Sequence, residues 1–177
     1  MDTQAPPRPL SPTELAVVNA LGRLILVLPR VMDHDLAREQ RMSMTEFMTL
    51  LTIAEAPDRR LRMTELAEAC YLSLSGMTRV VTRLENEGWV ERVRCAQDAR
   101  GADAVLTDTG WGQYQRALPT HLASLNRHIF KPLENADLAA FAAALESLIP
   151  SITSVHGACT KQEPCVVDVD ADNEAAN

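Results

Sequence analysis

Ser75, Thr78, Arg79, Thr82 and Arg83 recur at intervals that place them along one side of a helix. Turning about 100° per residue from Leu74, the apolar Leu74, Met77, Val80, Val81 and Leu84 gather within roughly a third of the circumference. The hydroxyl and arginine residues fall opposite. Short hydroxyl side chains permit close approach and exchange hydrogen bonds, and arginine reaches further as a planar, permanently charged donor. A helix with an apolar back and such a front has the chemistry of a major-groove reader, because its front can meet base edges or phosphates while its back holds to a core. Amphipathicity alone is common among surface helices, so the reading depends on the neighbouring elements.

Upstream, LRMTELAEAC offers Thr64 as an N-cap and sets Leu66, Ala67 and Cys70 on one face. The turn and second helix run from Tyr71 to Gly88, where a C-capping glycine is expected. WVERVR then supplies the β-formers Val90 and Val93, and ADAVL supplies Val105. Between them CAQDARG reads as a seven-residue loop from Cys95 to Gly101, with Asp98, Arg100 and a closing glycine. Helix, turn, helix and hairpin in this order make a winged helix-turn-helix. Double-stranded DNA is its expected partner. A winged module that binds proteins without DNA is the competing reading, and heparin retention with gel shifts separates the two.

A length of 177 residues suits one domain with a sizeable core, or a domain with tails. Apolar content of 46% with only 4% aromatic residues favours helices over a β-sandwich. The net charge of −7 excludes a surface that is positive throughout. From Arg59 to Gly101, however, eight arginines face six acids, a net of +2. A local basic stripe on an acidic body suits duplex binding, since only the contact face has to neutralise phosphates. No secretory signal or membrane span is read, because the apolar run from Ala16 to Leu28 is broken by Asn19, Gly22 and Arg23. Four scattered cysteines make no disulfide framework, and a cytoplasmic location is expected.

Met1 to Leu10, with three prolines, reads as a disordered arm. Ser11, Pro12 and Glu14 open a first helix with a capping box. Its series Leu15, Val18, Leu21, Ile25 and Leu28 is expected to run to about Pro29 and to continue from Val31 to Arg41 after a kink. Ser43 or Thr45 caps a second helix through Phe47, Leu50, Leu51 and Ala54, which Pro57 ends. After the hairpin, Thr107 caps a long helix through Trp111, Tyr114, Leu118, Leu122, Leu125 and Ile129, kinked at Pro119. Asn135 or Asp137 starts an Ala-rich helix from Leu138 to Ile149, and the acidic stretch from His156 to Asn177 reads as a flexible tail.

TELAEAC, SGMTRVVTRLENEGWVER, the DARG of Asp98 to Gly101 and the LTDTG of Leu106 to Gly110, in this order and spacing, resemble the MarR family of transcriptional regulators over about Met44 to Leu148. The resemblance implies a mainly α fold: a winged helix-turn-helix with a small β-hairpin wing and a helical dimerisation layer. It divides the chain into a disordered arm (1–10), a MarR-like domain (11–155) and an acidic flexible tail (156–177). Within the domain, 44–107 forms the winged lobe, and 11–42 with 108–150 forms the dimerisation helices. It further implies a homodimer on a pseudo-palindromic operator in double-stranded DNA, mostly acting as a repressor released by a small-molecule effector. Carried over by position, Ser73, Ser75, Thr78, Arg79 and Thr82 line the groove-facing helix, with Ser73 as its N-cap. Arg83 and Asp98 match a pair linking helix to wing, Arg83 also counting among the DNA-binding side chains. Arg100 matches a wing-tip arginine entering the minor groove, with Gly101 closing the wing. Arg92 and Arg94 contact the DNA backbone or nothing, and Arg94 is counted with the DNA-binding set. Two such helices would read adjacent major grooves about one turn apart.

The sensor is less legible. The family's hydroperoxide branch uses a cysteine near the first helix, and here none precedes Cys70, which reads as inert core. Cys95 follows Arg92 and Arg94, whose charges would lower its pKa, but an ordinary loop cysteine is the preferred reading. His34, His121, His128 and His156, with Cys159 and Cys165, make no recognised zinc spacing, so no metal or cofactor is expected. His121 and His128 read as surface residues. Asn19, Arg23, Asp33 and His34 stand near the helices where the resemblance would put an effector pocket, and read as solvent-facing or interhelical contacts. Redox- or metal-responsive control remains the alternative to small-molecule release. No nucleophile elbow, phosphate loop or dinucleotide fingerprint occurs, and no enzyme is expected.

Overall fold

The structure, a computed structural model, describes residues 8–95 and 98–150, and the side chains of residues 95–100 are outside that description. The expected arm is therefore described only from Arg8, and the acidic tail at 156–177 lies outside the described residues. So do the side chains of Cys95, Asp98 and Arg100.

Ser11 opens α1 (Pro12–Gln40) with the expected capping box: its Oγ accepts from the Glu14 N–H, and the Glu14 carboxylate accepts from the Ser11 N–H. The helix passes through Pro29 as one 29-residue element, so the expected continuation to about Arg41 is part of the same helix. Proline withdraws one N–H from the ladder, but the turns after it are docked. Met32, Asp35 and Leu36 are buried, and Asp35 accepts from the Ser124 hydroxyl at 2.8 Å. Tertiary docking of the second half outweighs the local break.

Ser43, not Thr45, caps α2 (Met44–Glu55), again through a capping box, and Asp33 of α1 accepts from the Met44 N–H at 2.8 Å. A 3₁₀ turn at Pro57–Arg59 leads into β1 (Arg60–Arg62), a strand the sequence reading did not anticipate. Three residues are too few to show an alternating pattern. α3 (Met63–Ala69) starts from Arg62 as its N-cap, so Thr64 lies inside the helix. The strand delivers the chain directly into the helix, and Glu65 accepts from the Arg62 N–H at 3.3 Å in place of a hydroxyl cap.

α4 (Leu74–Asn86) follows, then β2 (Val90–Cys95), β3 (Asp98–Leu106) and α5 (Asp108–Leu125). The three strands form an antiparallel sheet ordered β1-β3-β2. Arg60 faces Val105 and Arg62 faces Asp103 on one side, while Val90 faces Leu106 and Cys95 faces Asp98 on the other. The supposed loop from Cys95 to Gly101 is thus largely strand, since the ladder extends to Asp98 after a bulge at Arg94/Cys95. Thr107 caps α5 as expected, its Oγ1 accepting from the Gly110 N–H at 3.0 Å and donating to Gly88 O at 2.7 Å. α5 stays helical through Pro119, ends at Leu125 and gives way to a π-helical turn, Asn126–Phe130. Asp137 caps α6 (Leu138–Glu146), shorter than expected by three residues.

Leu36 of α1, Phe47, Leu50 and Ile53 of α2, Leu66 of α3, Met77, Val81 and Leu84 of α4, Ala104 of β3 and Ala117 of α5 share one core, all sealed from solvent. Each large side chain contributes about 1.5–3 kcal/mol on burial, and together they fix the winged lobe to the docked half of α1. The first half of α1 and all of α6 are different. Leu15, Val18, Ile25 and Leu26, with Phe141, Leu145 and Ile149, are exposed in the single chain. α1 is also the one described helix long and apolar enough to cross a membrane by length and composition, with a mean hydropathy of 1.7, which the reading of Ala16 to Leu28 as interrupted did not anticipate.

Candidate nucleic-acid interface

Local sequence builds the candidate reading helix. α3 ends with Leu72 N–H bonded to Ala67 O at 2.8 Å and Tyr71 N–H to Glu68 O at 3.0 Å. Tyr71 is thereby left-handed, at φ +54°. Ser73 then caps α4, its Oγ accepting from the Gly76 N–H at 3.1 Å and lying 3.1 Å from Ser75 Oγ. At the other end Gly88, at φ +72°, completes a Schellman closure: Trp89 N–H reaches Leu84 O and Gly88 N–H reaches Glu85 O, both at 2.9 Å. Glycine carries that backbone without a Cβ penalty.

Met77, Val81 and Leu84 form the buried back of α4. Leu74, expected there, is half exposed at the first turn, beyond the reach of the core. Ser73, Ser75, Thr78, Arg79, Thr82 and Arg83 are all exposed on the remaining surface. Thr78 Oγ1 donates to Leu74 O and Thr82 Oγ1 to Thr78 O, both at 2.8 Å. This back-bonding occupies the hydroxyl protons, so Thr78 offers an acceptor oxygen and a methyl group. Those suit an amino group on a base edge and the methyl of thymine.

The arginines divide by whether the fold already engages them. Arg83 Nε donates to Glu46 Oε1 of α2 at 2.7 Å. The other oxygen of that buried carboxylate accepts from the Ser43 N–H at 2.7 Å, so the capping box of α2 also anchors α4. The structure ties Arg83 to α2; the Asp98 side chain, to which the sequence reading joined it, lies outside the described residues. The rest of its guanidinium stays open to solvent.

Among the described residues, a link from helix to wing is made by Arg92 of β2, which was read as contacting the DNA backbone or nothing. Its Nη2 donates to Thr82 Oγ1 at 2.6 Å and to Thr78 O at 2.9 Å, and meets Glu85 Oε2 at 3.3 Å. Its N–H reaches Glu85 Oε1 at 3.2 Å. Thr82 thus keeps its methyl group and a single lone pair uncommitted. The available signal was Glu85 and Arg92 flanking the tight turn at Gly88, which brings the two chains together. Arg92→Ala should lower stability by about 1–3 kcal/mol and weaken DNA binding about tenfold by freeing the wing from α4. Paired denaturation and gel-shift titrations check this, and a variant that binds as tightly as wild type contradicts it.

Arg60 pairs with Asp103 at 2.6 Å, and Arg59 lies 3.8 Å from the Trp111 ring centroid as a cation–π contact. Arg79 and Arg94 are exposed and have no partner among the described residues. Among the described residues these two are therefore uncommitted, Arg79 on the hydroxyl face of α4 and Arg94 on β2. Gly101 lies in β3, and the side chains of Asp98 and Arg100 cannot be placed relative to it, being outside the described residues.

No group of three or more His, Cys, Asp or Glu able to hold a metal occurs among the described residues. Cys70 is half-buried with its Sγ 3.6 Å from Thr52 Oγ1, and burial pushes its thiol pKa up, which disfavours the reactive thiolate. His121, read as a surface residue, is buried against the Phe47 ring at 4.5 Å, and burial pushes its pKa down. His128 sits 3.3 Å from Asp35 instead, so the two histidines have different surroundings. Asp35 was not singled out by sequence. The Ser124 hydroxyl is the chief reason its carboxyl is held low, with His128, Arg127 and Arg38 adding and burial opposing. Asp33 holds the start of α2, and Asn19, Arg23 and His34 are exposed.

A serine- and arginine-fronted helix seated on a three-helix core, stapled to a β-hairpin, defines a DNA-binding winged helix-turn-helix regulator. A family-wide profile described as MarR family matches residues 42–101. A MarR family transcriptional regulator of Streptomyces coelicolor, solved in complex with DNA, is 31% identical, with a TM-score of 0.76 over 81% of this chain and 93% of that one. The regulator PecS of Dickeya dadantii (strain 3937) is 26% identical over 70% of this chain and 74% of its own length. The repressor YetL of Bacillus subtilis (strain 168) is 29% identical over 54% of this chain, which spans only 57% of YetL. The chain belongs to the MarR family: it is a DNA-binding transcriptional regulator, and its relatives are regulators of transcription and not enzymes.

Proposed function

We propose that the chain acts as a cytoplasmic homodimeric repressor, reading a pseudo-palindromic operator through α4 and released by a small-molecule effector. The outward face of α4 carries this reading: Ser75, Thr78 and Arg79 are exposed there, Arg94 is exposed on β2, and neither arginine has a partner among the described residues. Ser73 shapes the start of that face, Thr82 adds a methyl, and Arg83 presents the outer edge of a guanidinium held by Glu46. Arg100 belongs to the proposed site through its position in the wing. The exposed apolar faces of α1 and α6 support a second copy as partner, because monomers rarely leave so large an apolar surface uncovered. The repressor YetL supports the direction of regulation. The family resemblance supports an effector, which a thermal-shift screen with phenolic acids, antibiotics and zinc would identify by class.

Nuclease footprinting should give two half-sites about 10 base pairs apart. Arg79→Ala or Arg100→Ala should each weaken binding several-fold and reduce the slope of log Kd against log salt by about one, with dimerisation unchanged. A one-subunit, non-symmetric footprint rejects the dimeric reading. Unchanged affinity across the salt titration removes that arginine from the interface. Added protein should also lower transcription from a template carrying the footprinted site, and a rise would make the chain an activator.

A further inference from the structure

The turn between α3 and α4 is held in a conformation that its own side chain disfavours. Tyr71 has φ +54°, where a Cβ crowds the neighbouring carbonyl and glycine is the usual occupant. It fills the closing position of α3, since its N–H and that of Leu72 make the two bonds that end the helix. Its ring is 82% exposed, so burial does not offset the strain, and its hydroxyl has no partner among the described residues. Arg41, Asp58 and Arg59 share a positive φ, and Arg59 stacks on Trp111; Tyr71 is the one aromatic of the four and has no ring contact among the described residues. Non-glycine residues in this region cluster at binding and switch sites, and a large exposed aromatic held there is placed to meet a partner outside the chain.

Tyr71 lies two residues before the N-cap of α4. In a helix-turn-helix the recognition helix enters the major groove while the preceding helix crosses the backbone, so the turn joining them passes the phosphates at the groove edge. Tyrosine suits that position: its O–H donates to a phosphodiester oxygen and its ring lies against a sugar. We propose that Tyr71 is a phosphate-contact residue that donates its phenolic O–H to the DNA backbone and sets how α4 seats in the groove. This rests on the reading of α4 as the groove helix.

The test uses the full chain and a duplex selected with it from a randomised library, with Tyr71→Gly, Tyr71→Phe and, as control, Arg79→Ala. Tyr71→Gly relieves the left-handed strain, so its melting midpoint should hold or rise by about 2–4 °C while affinity falls about tenfold. Tyr71→Phe should keep the wild-type midpoint and lose about tenfold in affinity, the loss of a hydrogen bond to a charged group. Neither change removes a charge, so the salt slope should stay at the wild-type value, whereas Arg79→Ala lowers it by about one. Wild-type affinity in Tyr71→Phe, or a lowered midpoint in Tyr71→Gly, overturns the assignment while an Arg79→Ala effect leaves the interface standing. Silence in all three variants rejects the interface itself.

Discussion

Gly110→Ala should destabilise the chain by about 3 kcal/mol or more, which lowers the melting midpoint by about 10 °C for a domain of this size. A Cβ built at Gly110 would lie 1.9 Å from Trp89 O and 2.8 Å from the Leu106 side chain. The carbonyl cannot yield cheaply, because Trp89 is bound at both ends of its peptide: its N–H closes α4, and its oxygen accepts from the Thr107 N–H at 3.1 Å. Three elements meet there, since Thr107 also caps α5 and donates to Gly88 O. The damage should therefore spread to the wing and to the C-terminal end of α4, and DNA affinity should fall with stability. Chemical denaturation of the purified variant is the measurement. A wild-type midpoint would mean that α5 moves away from Trp89 at no cost, contrary to the packing.

The Val18→Glu, Ile25→Glu double variant should convert a dimer into a monomer while leaving the winged lobe folded. The two residues are seven apart on α1 and are 53% and 69% exposed in the single chain, so neither supports the core formed by Leu36, Phe47 and the winged lobe. Charges placed in a dimer seam, by contrast, must be stripped of water without partners. Sedimentation should report one chain per particle at micromolar concentration, with unchanged helical signal. Affinity for a two-half-site operator should fall by about a hundredfold or more, because the second lobe no longer binds as a tethered partner. A dimer of undiminished stability would remove α1 from the proposed seam.

Both variants test features of different legibility. The capping serines at 11, 43 and 73, the threonine at 107 and the glycine at 88 announce themselves, because a cap is made within four residues of chain. The polar front of α4 is equally local. By contrast, the continuity of α1 through Pro29 is decided by Asp35 meeting Ser124, 89 residues away, and β1 exists because Leu61 finds Ala104. The misread start of α3 has the same origin: a hydroxyl at Thr64 signals a cap locally, but the strand before it sets where the helix begins.

By itself the sequence determined the order of the helices and of the wing's two strands, the helix boundaries marked by caps, and the face of α4 that carries hydroxyls and arginines. These follow from backbone periodicity and from hydrogen bonds closed over one turn, which a linear pattern records. Only the tertiary structure decided which charged groups are spent internally: Arg83 on Glu46, Arg92 on Thr82 and Glu85, Arg60 on Asp103. It likewise left Arg79 and Arg94 without partners among the described residues and buried His121. An ion pair forms wherever folding brings opposite charges within a few ångströms, and that proximity is a property of the packed core, which residue spacing along the chain does not encode.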